Sequence, residues 1–149
     1  MSIKQKLYNH CQEFVNNKLK LIEKTIQSNK EGLSSETKSS AGDKHETGRA
    51  MLQLEMEKAG QQLKAVHQMQ QQLERINLNS TSKKIHLGSI VKTNSAVYFL
   101  AIGMGQITMD KIVYSVISTN SPIGQLLLGK EEEENVFFRN QKIKVLEVL

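Results

Sequence analysis

LQLEMEKAGQQLKAVHQMQQQLE, residues 52–74, carries the periodic signal that decides the fold. Its seam positions alternate steps of four and three residues, the spacing that keeps one face of a helix against a partner helix. These positions are Leu52, Met56, Ala59, Leu63, Val66, Gln70 and Leu73. Gln70 is the polar member, and we interpret it as a tolerated or register-setting core residue. The stretch predicts an amphipathic helix with a coiled-coil seam.

The chain before residue 34 repeats this spacing, with one phase shift. The apolar positions are Leu7, Cys11 and Phe14, then Val15, Leu19, Ile22, Ile26 and Leu33. A polar link that contains glycine, residues 34–48, separates the two periodic stretches, which favours an antiparallel hairpin. Arms of about thirty residues extend roughly 45 Å at ~1.5 Å per residue. We predict a helical hairpin over residues 1–78 with its tip at 39–49; a helical pair within a larger bundle or homodimer is the alternative.

The pattern changes after the polar break NSTSKK, residues 79–84. The runs that follow are short and rich in β-branched and aromatic residues, and KIKVLEVL alternates with the period of two typical of strands. SPIGQLLLG is different: Ser121 offers an N-cap, Pro122 fits the first helical turn and Gly129 fits a C-cap. Residues 79–149 therefore predict a small antiparallel sheet with one short helix, and the whole chain predicts an α+β fold.

Composition limits the classes of protein and partner. The 20 Lys and Arg residues exceed the 15 Asp and Glu residues, which suits a partner that carries phosphates. The single cysteine, Cys11, excludes an internal disulfide framework and a cysteine-built zinc site. No apolar run approaches the ~20 residues of a membrane span, and the first residues lack the apolar core of a signal peptide. We expect a monomeric cytoplasmic protein with no membrane contact.

The stretch VISTNSPIGQLLLGKEEEENVFF, residues 116–138, resembles the C-terminal domain of the Gre transcript-cleavage factors of bacterial RNA polymerase. The likeness lies in its S-P-I-small-x-x-L-x-G-K core. An extended helical hairpin before such a domain is also the layout of that family, and Gly42-Asp43-Lys44-His45-Glu46 matches the family's Gly-Asp-x-x-Glu at the tip. The resemblance implies an FKBP-like C-terminal domain that docks on RNA polymerase while the hairpin enters the secondary channel.

The two acidic residues of the tip give this resemblance a chemical meaning. Carboxylates are the hard oxygen ligands that Mg²⁺ prefers, and Mg²⁺ can activate water for phosphodiester hydrolysis. The resemblance implies that Asp43 and Glu46 share the polymerase's Mg²⁺ and help to cleave the 3′ end of backtracked nascent RNA. The chain would then be an accessory factor with no cofactor of its own rather than an enzyme. The alternative is a capping-box-like role for the same pair at the start of a helix.

Other charged and apolar residues are candidates for contacts with RNA or polymerase. Lys44 and Arg49 lie beside the acids and are candidates for RNA phosphate; ordinary solvated charge is the alternative. Ser121, Pro122 and Ile123 are candidates for docking on polymerase, although Pro122 and Ile123 can also serve the local fold. A zinc triad through His45 is disfavoured because adjacent residues on a turn point in different directions.

Three alternative functions remain at this stage. The Gre family carries a tyrosine four residues beyond the tip glutamate, and this chain has Ala50 there. That difference favours a regulator that occupies the channel without stimulating cleavage. An FKBP-like prolyl isomerase is a different class, but its aromatic-lined pocket fits poorly with 5% aromatic residues and no Trp. A coiled-coil scaffold explains the heptads and leaves the two motifs without a role.

Overall fold

The fold class predicted from the sequence is confirmed: a helical hairpin is followed by a sheet with one short helix. The computed structural model describes the backbone of residues 1–38 and 42–149, and the side-chain surroundings of residues 1–34 and 46–149. The long helices are α1 (Ile3–Lys38) and α2 (Gly42–Glu74). No helix among the described residues is long and apolar enough to cross a membrane.

The chain divides into two compact units, and the division falls inside the long helices. One unit is Glu13–Gln70; the other joins Met1–Gln12 with Gln71–Leu149 and contains the sheet. We call them the hairpin unit and the sheet unit. The sequence pattern predicted a domain boundary between residues 78 and 79, where the helical pattern gives way to the strand pattern. That domain boundary stays a prediction.

The hairpin unit packs along the predicted seam. Its helices are antiparallel, because Gly32 of α1 lies against Leu52 of α2 while Ile22 and Val66 border one groove nearer the other end. On α2 each predicted seam position is buried or half-buried. One residue of the α1 seam escaped the apolar pattern: Asn29 is only 5% exposed and fills the heptad position between Ile26 and Leu33.

The sheet unit contains the strands and the short helix. Within the described residues, six strands form one sheet in the order β3-β4-β2-β1-β6-β5. Their bounds are β1 (Ile90–Thr93), β2 (Val97–Ala101), β3 (Gly105–Met109), β4 (Ile112–Ser118), β5 (Asn135–Phe138) and β6 (Gln141–Val148), with α3 (Pro122–Leu127) between β4 and β5.

The sheet is mixed, whereas the sequence predicted antiparallel pairing. β2 and β4 are parallel, with Phe99 opposite Val116. The reason is that β3 pairs with β4 and not with β2, so the β3–β4 hairpin places β4 alongside β2 in the same direction. A period-two pattern identifies strands but does not identify their neighbours.

Two-residue turns close the hairpins β3–β4 and β5–β6. Asp110 and Lys111 have φ of 51° and 67°, and Arg139 and Asn140 have φ of 51° and 63°. Positive φ at both central residues is the signature of a type I′ turn, whose twist matches that of the flanking strands. Asp110 also pairs with Lys6 at the start of α1, with 3.6 Å between the carboxylate and the ammonium.

One face of the sheet carries a hydrophobic core together with α3. Alternate residues of the strands point to this face, where they meet two residues of α3 and one from the segment before β1. The buried members are Ile85, Val91, Leu100, Ile123, Leu127, Val136, Ile143 and Val145.

Candidate functional site: the start of α2 and the α3 segment

The predicted acidic pair lies at the N-terminal end of α2. The described part of α2 begins at Gly42, and Asp43 and Glu46 lie three residues apart within it, close to one helical turn. A capping box requires its first residue to precede the helix, whereas this backbone places Asp43 within α2. Carboxylates in a first turn are favoured by the free N–H groups and the helix dipole. The side chains of Asp43, Lys44 and His45 lie outside the described residues.

Glu46 and Arg49 are the predicted tip residues whose side chains the structure describes. Both are exposed, and Ala50 beside them is exposed as well. A solvent-facing carboxylate retains free lone pairs and can coordinate a cation supplied by a partner. Among the described residues, no group of three His, Cys, Asp or Glu side chains is placed to hold a metal ion.

The S-P-I-G segment is a tightly determined helix start. The hydroxyl of Ser121 donates to the carbonyl of Ser118 at 2.6 Å and accepts the N–H of Gly124 at 3.1 Å. Pro122 occupies the first helical position, where a missing N–H costs nothing. The predicted N-cap is therefore present, and it fixes the direction in which the chain leaves β4.

Gly124 explains the small residue in this motif. A Cβ built on Gly124 would collide with the backbone carbonyl of Ser118 and would lie 2.8 Å from the Ser121 hydroxyl. At the other end of the helix Gly129 has φ +81°, a left-handed conformation that favours glycine. The motif thus encodes a short helix packed close against the strand that precedes it.

The predicted docking residues differ in accessibility. Pro122 is exposed, Ser121 is half-buried with its hydroxyl engaged in the cap, and Ile123 is buried in the core. Their contact with polymerase stays a prediction, and Pro122 is the one whose side chain faces solvent.

The sequence reading missed an apolar groove beside α3. Leu126 and Leu128 are exposed there, and Phe137 of β5 is 69% exposed. The groove measures about 450 Å³, and Lys130 also lines it. Phe137 was detectable in principle, because it alternates with Val136, whose side chain is buried on the opposite face. The exposure of the leucines depends on how α3 sits on the sheet, which no local pattern reveals.

Cys11 is a packing residue. It is fully buried in α1, and burial raises the pKa of its thiol to about 12. The thiol is therefore protonated at neutral pH, and it lacks the thiolate that nucleophilic or metal-binding chemistry requires.

Among the comparisons with known proteins, the search of solved structures found similar chains. No protein-family model matches the chain, and no curated protein matches it. The solved structure of the transcription factor Gfh1 is similar to this chain with a TM-score of 0.35 and 15% sequence identity, over 95% of this chain and 92% of that one.

Proposed function

We propose that this protein is an accessory transcription factor that binds bacterial RNA polymerase. The observation that carries the proposal is the order of its parts. A helical hairpin has the Gly-Asp-x-x-Glu motif at the start of its second helix, and a sheet domain follows in which S-P-I-G-Q-L-L-L-G-K forms the capped helix α3. A scaffold or a bare coiled coil requires neither motif.

The finer proposal concerns the 3′ end of backtracked RNA. Asp43 and Glu46, one helical turn apart in α2, supply carboxylate oxygens to Mg²⁺ held by the polymerase. A Mg²⁺ ion that these carboxylates help to hold would supply the activation of water for attack on the phosphodiester. The N-terminal end of a helix favours negative charge, which suits a pair of acidic residues there. Lys44 and Arg49 contribute positive charge for RNA phosphate, and Arg49 is exposed as that contact requires.

The test is RNA 3′-end cleavage in stalled elongation complexes, with the double variant Asp43→Asn, Glu46→Gln. Both substitutions keep side chains of nearly the same size and remove the negative charge that Mg²⁺ requires. We expect binding to polymerase within about twofold of the parent and stimulated cleavage lowered at least about 100-fold, because loss of even a hydrogen-bond partner of a metal ligand costs about 10–100-fold. Raising the Mg²⁺ concentration should restore part of the activity. Glu55→Gln, an exposed acid further along α2, is the matched control and should cleave as the parent does.

A second function is favoured by Ala50. The aromatic residue that the Gre family carries at this position is replaced by a methyl group, and the position is exposed. A regulator that occupies the secondary channel without stimulating cleavage needs the hairpin and the docking domain but not the aromatic side chain. If the parent binds polymerase and never stimulates cleavage, this regulator is the better description. If the double variant cleaves as well as the parent, the acids serve only the helix start.

A further inference from the structure

The side of the hairpin unit carries an apolar groove that the packing of the two helices leaves open. It measures about 290 Å³. Its floor is the seam, where Ile22 and Val66 are 8% and 3% exposed. Leu21 of α1 forms one wall, and Ala65 and Met69 of α2 form the other. The groove is therefore built wholly from the hairpin unit.

Leu21 is the unusual member of this groove. Its side chain is 67% exposed, although the residue next to it in the chain, Ile22, is in the seam. Leu21 lies outside the four-and-three pattern, so the pairing of the helices does not require an apolar residue there. An exposed leucine beside an apolar groove is the arrangement expected of an interaction surface.

The charged residues that line the groove or lie three or four positions from a lining residue are lysines. Lys18 lines it, Lys24 lies one turn beyond Leu21, and Lys58 lies one turn before Gln62, which also lines it. The residues three and four positions away from each lining residue include no Asp or Glu. The ion pairs between described residues are made elsewhere, and the Lys18 ammonium instead lies 5.0 Å from the centre of the Phe14 ring.

We infer that this groove is a contact site for RNA polymerase, and that it receives an aliphatic or aromatic side chain of the polymerase flanked by carboxylates. The inference rests on the proposed function, since it names the hairpin surface by which that partner is held. Apolar walls fit an apolar side chain, and the surrounding lysines complement carboxylates. RNA fits less well, because the lining lacks the aromatic platforms on which bases stack. A second copy of the chain would bring the same lysines against each other.

The experiment measures the affinity of the full chain for RNA polymerase core enzyme, with Leu21→Gln against Leu54→Gln. The control is closely matched, because Leu54 is a leucine of a long helix with 65% exposure and does not line the groove. We expect Leu21→Gln to weaken binding about tenfold, as loss of a central apolar anchor does, and Leu54→Gln to stay within about twofold. Unchanged thermal melting of both variants shows that folding is not the cause.

A charge variant identifies what fills the groove. Lys18→Gln with Lys24→Gln should weaken polymerase binding about threefold at low salt and have less effect at high salt, because exposed charges are screened. Affinity for single-stranded RNA gives a second readout. If the lysine variant lowers that affinity, and Leu21→Gln changes neither RNA binding nor polymerase binding, the ligand of this surface is RNA and the inference is overturned. A dimer of the isolated protein that Leu21→Gln dissociates identifies a second copy and also overturns it.

The outcomes separate this inference from the proposed function. If the parent binds polymerase and Leu21→Gln binds equally well, the groove is not the contact site and the proposed function stands. If the parent does not bind polymerase, both fail together. The inference is supported only if Leu21→Gln lowers the affinity for polymerase while Leu54→Gln leaves it unchanged.

Discussion

The hairpin unit and the sheet unit bury apolar side chains of different size. The buried apolar residues described in the hairpin unit are Val15, Ile22, Ala59 and Val66. The sheet unit buries larger ones, with Phe99, Leu100 and Leu127 each at 0% exposure. Stabilisation scales with the apolar area removed from water, so the sheet unit has the greater share. A two-helix arrangement with a single narrow seam is marginal by itself, which suits a part whose proposed task is to meet a partner.

Both units contain a buried side-chain nitrogen without a hydrogen-bond partner, Nε2 of His86 in the sheet unit and Nδ2 of Asn29 in the hairpin unit, but only Asn29 lies in a helix seam. In the sheet unit Thr93 is 9% exposed. Its hydroxyl donates to the Ala96 carbonyl at 2.7 Å and accepts the Ala96 N–H at 3.0 Å. In the hairpin unit Asn29 is 5% exposed, and its Nδ2 has no hydrogen-bond partner. A buried amide without a partner costs about 1–3 kcal/mol. Thr93 organises a turn, whereas Asn29 weakens the seam in which it lies.

The largest effect should come from truncating the sheet core. Phe99→Ala removes a ring at 0% exposure from the strand between β1 and β4, and should lower the free energy of unfolding by about 3–5 kcal/mol. Val66→Ala in the hairpin seam removes about two methylene equivalents and should cost about 1–2 kcal/mol. Urea unfolding gives both values, and hydrogen exchange should locate the second change within residues 13–70. Equal costs would show that the seam contributes as much to stability as the sheet core does.

The second-largest effect on stability should be a gain, from a substitution at Asn29. Asn29→Leu replaces the unpartnered amide with an apolar side chain of similar length, and should raise the free energy of unfolding by about 1–2 kcal/mol. Thermal melting and hydrogen exchange of α2 measure the gain. Asn29→Ala is the control, because it removes the amide but leaves a cavity, and should gain less. A loss of stability on Asn29→Leu would mean that the amide is hydrogen-bonded in solution and that the seam is not weakened there.

What could be predicted from the sequence follows from how locally each feature is determined. The seam of α2 and the capped start of α3 depend on residues within a few positions of one another, so spacing and the Ser121-Pro122 pair were sufficient. Asn29 was missed because a search for apolar positions passes over an amide, even when it fits the heptad. The parallel pairing of β2 with β4 depends on which strands become neighbours, and alternation carries no information about that.

The candidate sites divide in the same way. Glu46 and Arg49 were chosen from a motif of consecutive residues, and both side chains are exposed as their proposed roles require. The groove beside Leu21 was not predicted, because its lining comes from two helical segments at least forty positions apart and exists only when the two helices are in register. The sequence does show that Leu21 is an apolar residue outside the seam. That observation indicates a groove only once the residues of α2 that pack beside Leu21 are known.

The smallest changes in stability are expected when one glycine in each unit is replaced by alanine. Gly60 lies in the interior of α2, and a Cβ built there meets nothing within 4 Å, so Gly60→Ala should stabilise the helix by about 1 kcal/mol through its intrinsic propensity. Gly124→Ala in the sheet unit should do the reverse, because its Cβ would collide with the Ser118 carbonyl and disturb the α3 cap. Thermal melting of the two variants side by side checks the signs. A destabilising Gly60→Ala would show that α2 does not keep regular helical backbone at residue 60. A neutral Gly124→Ala would show that α3 can move away from β4, so that its position is not fixed by the S-P-I-G sequence.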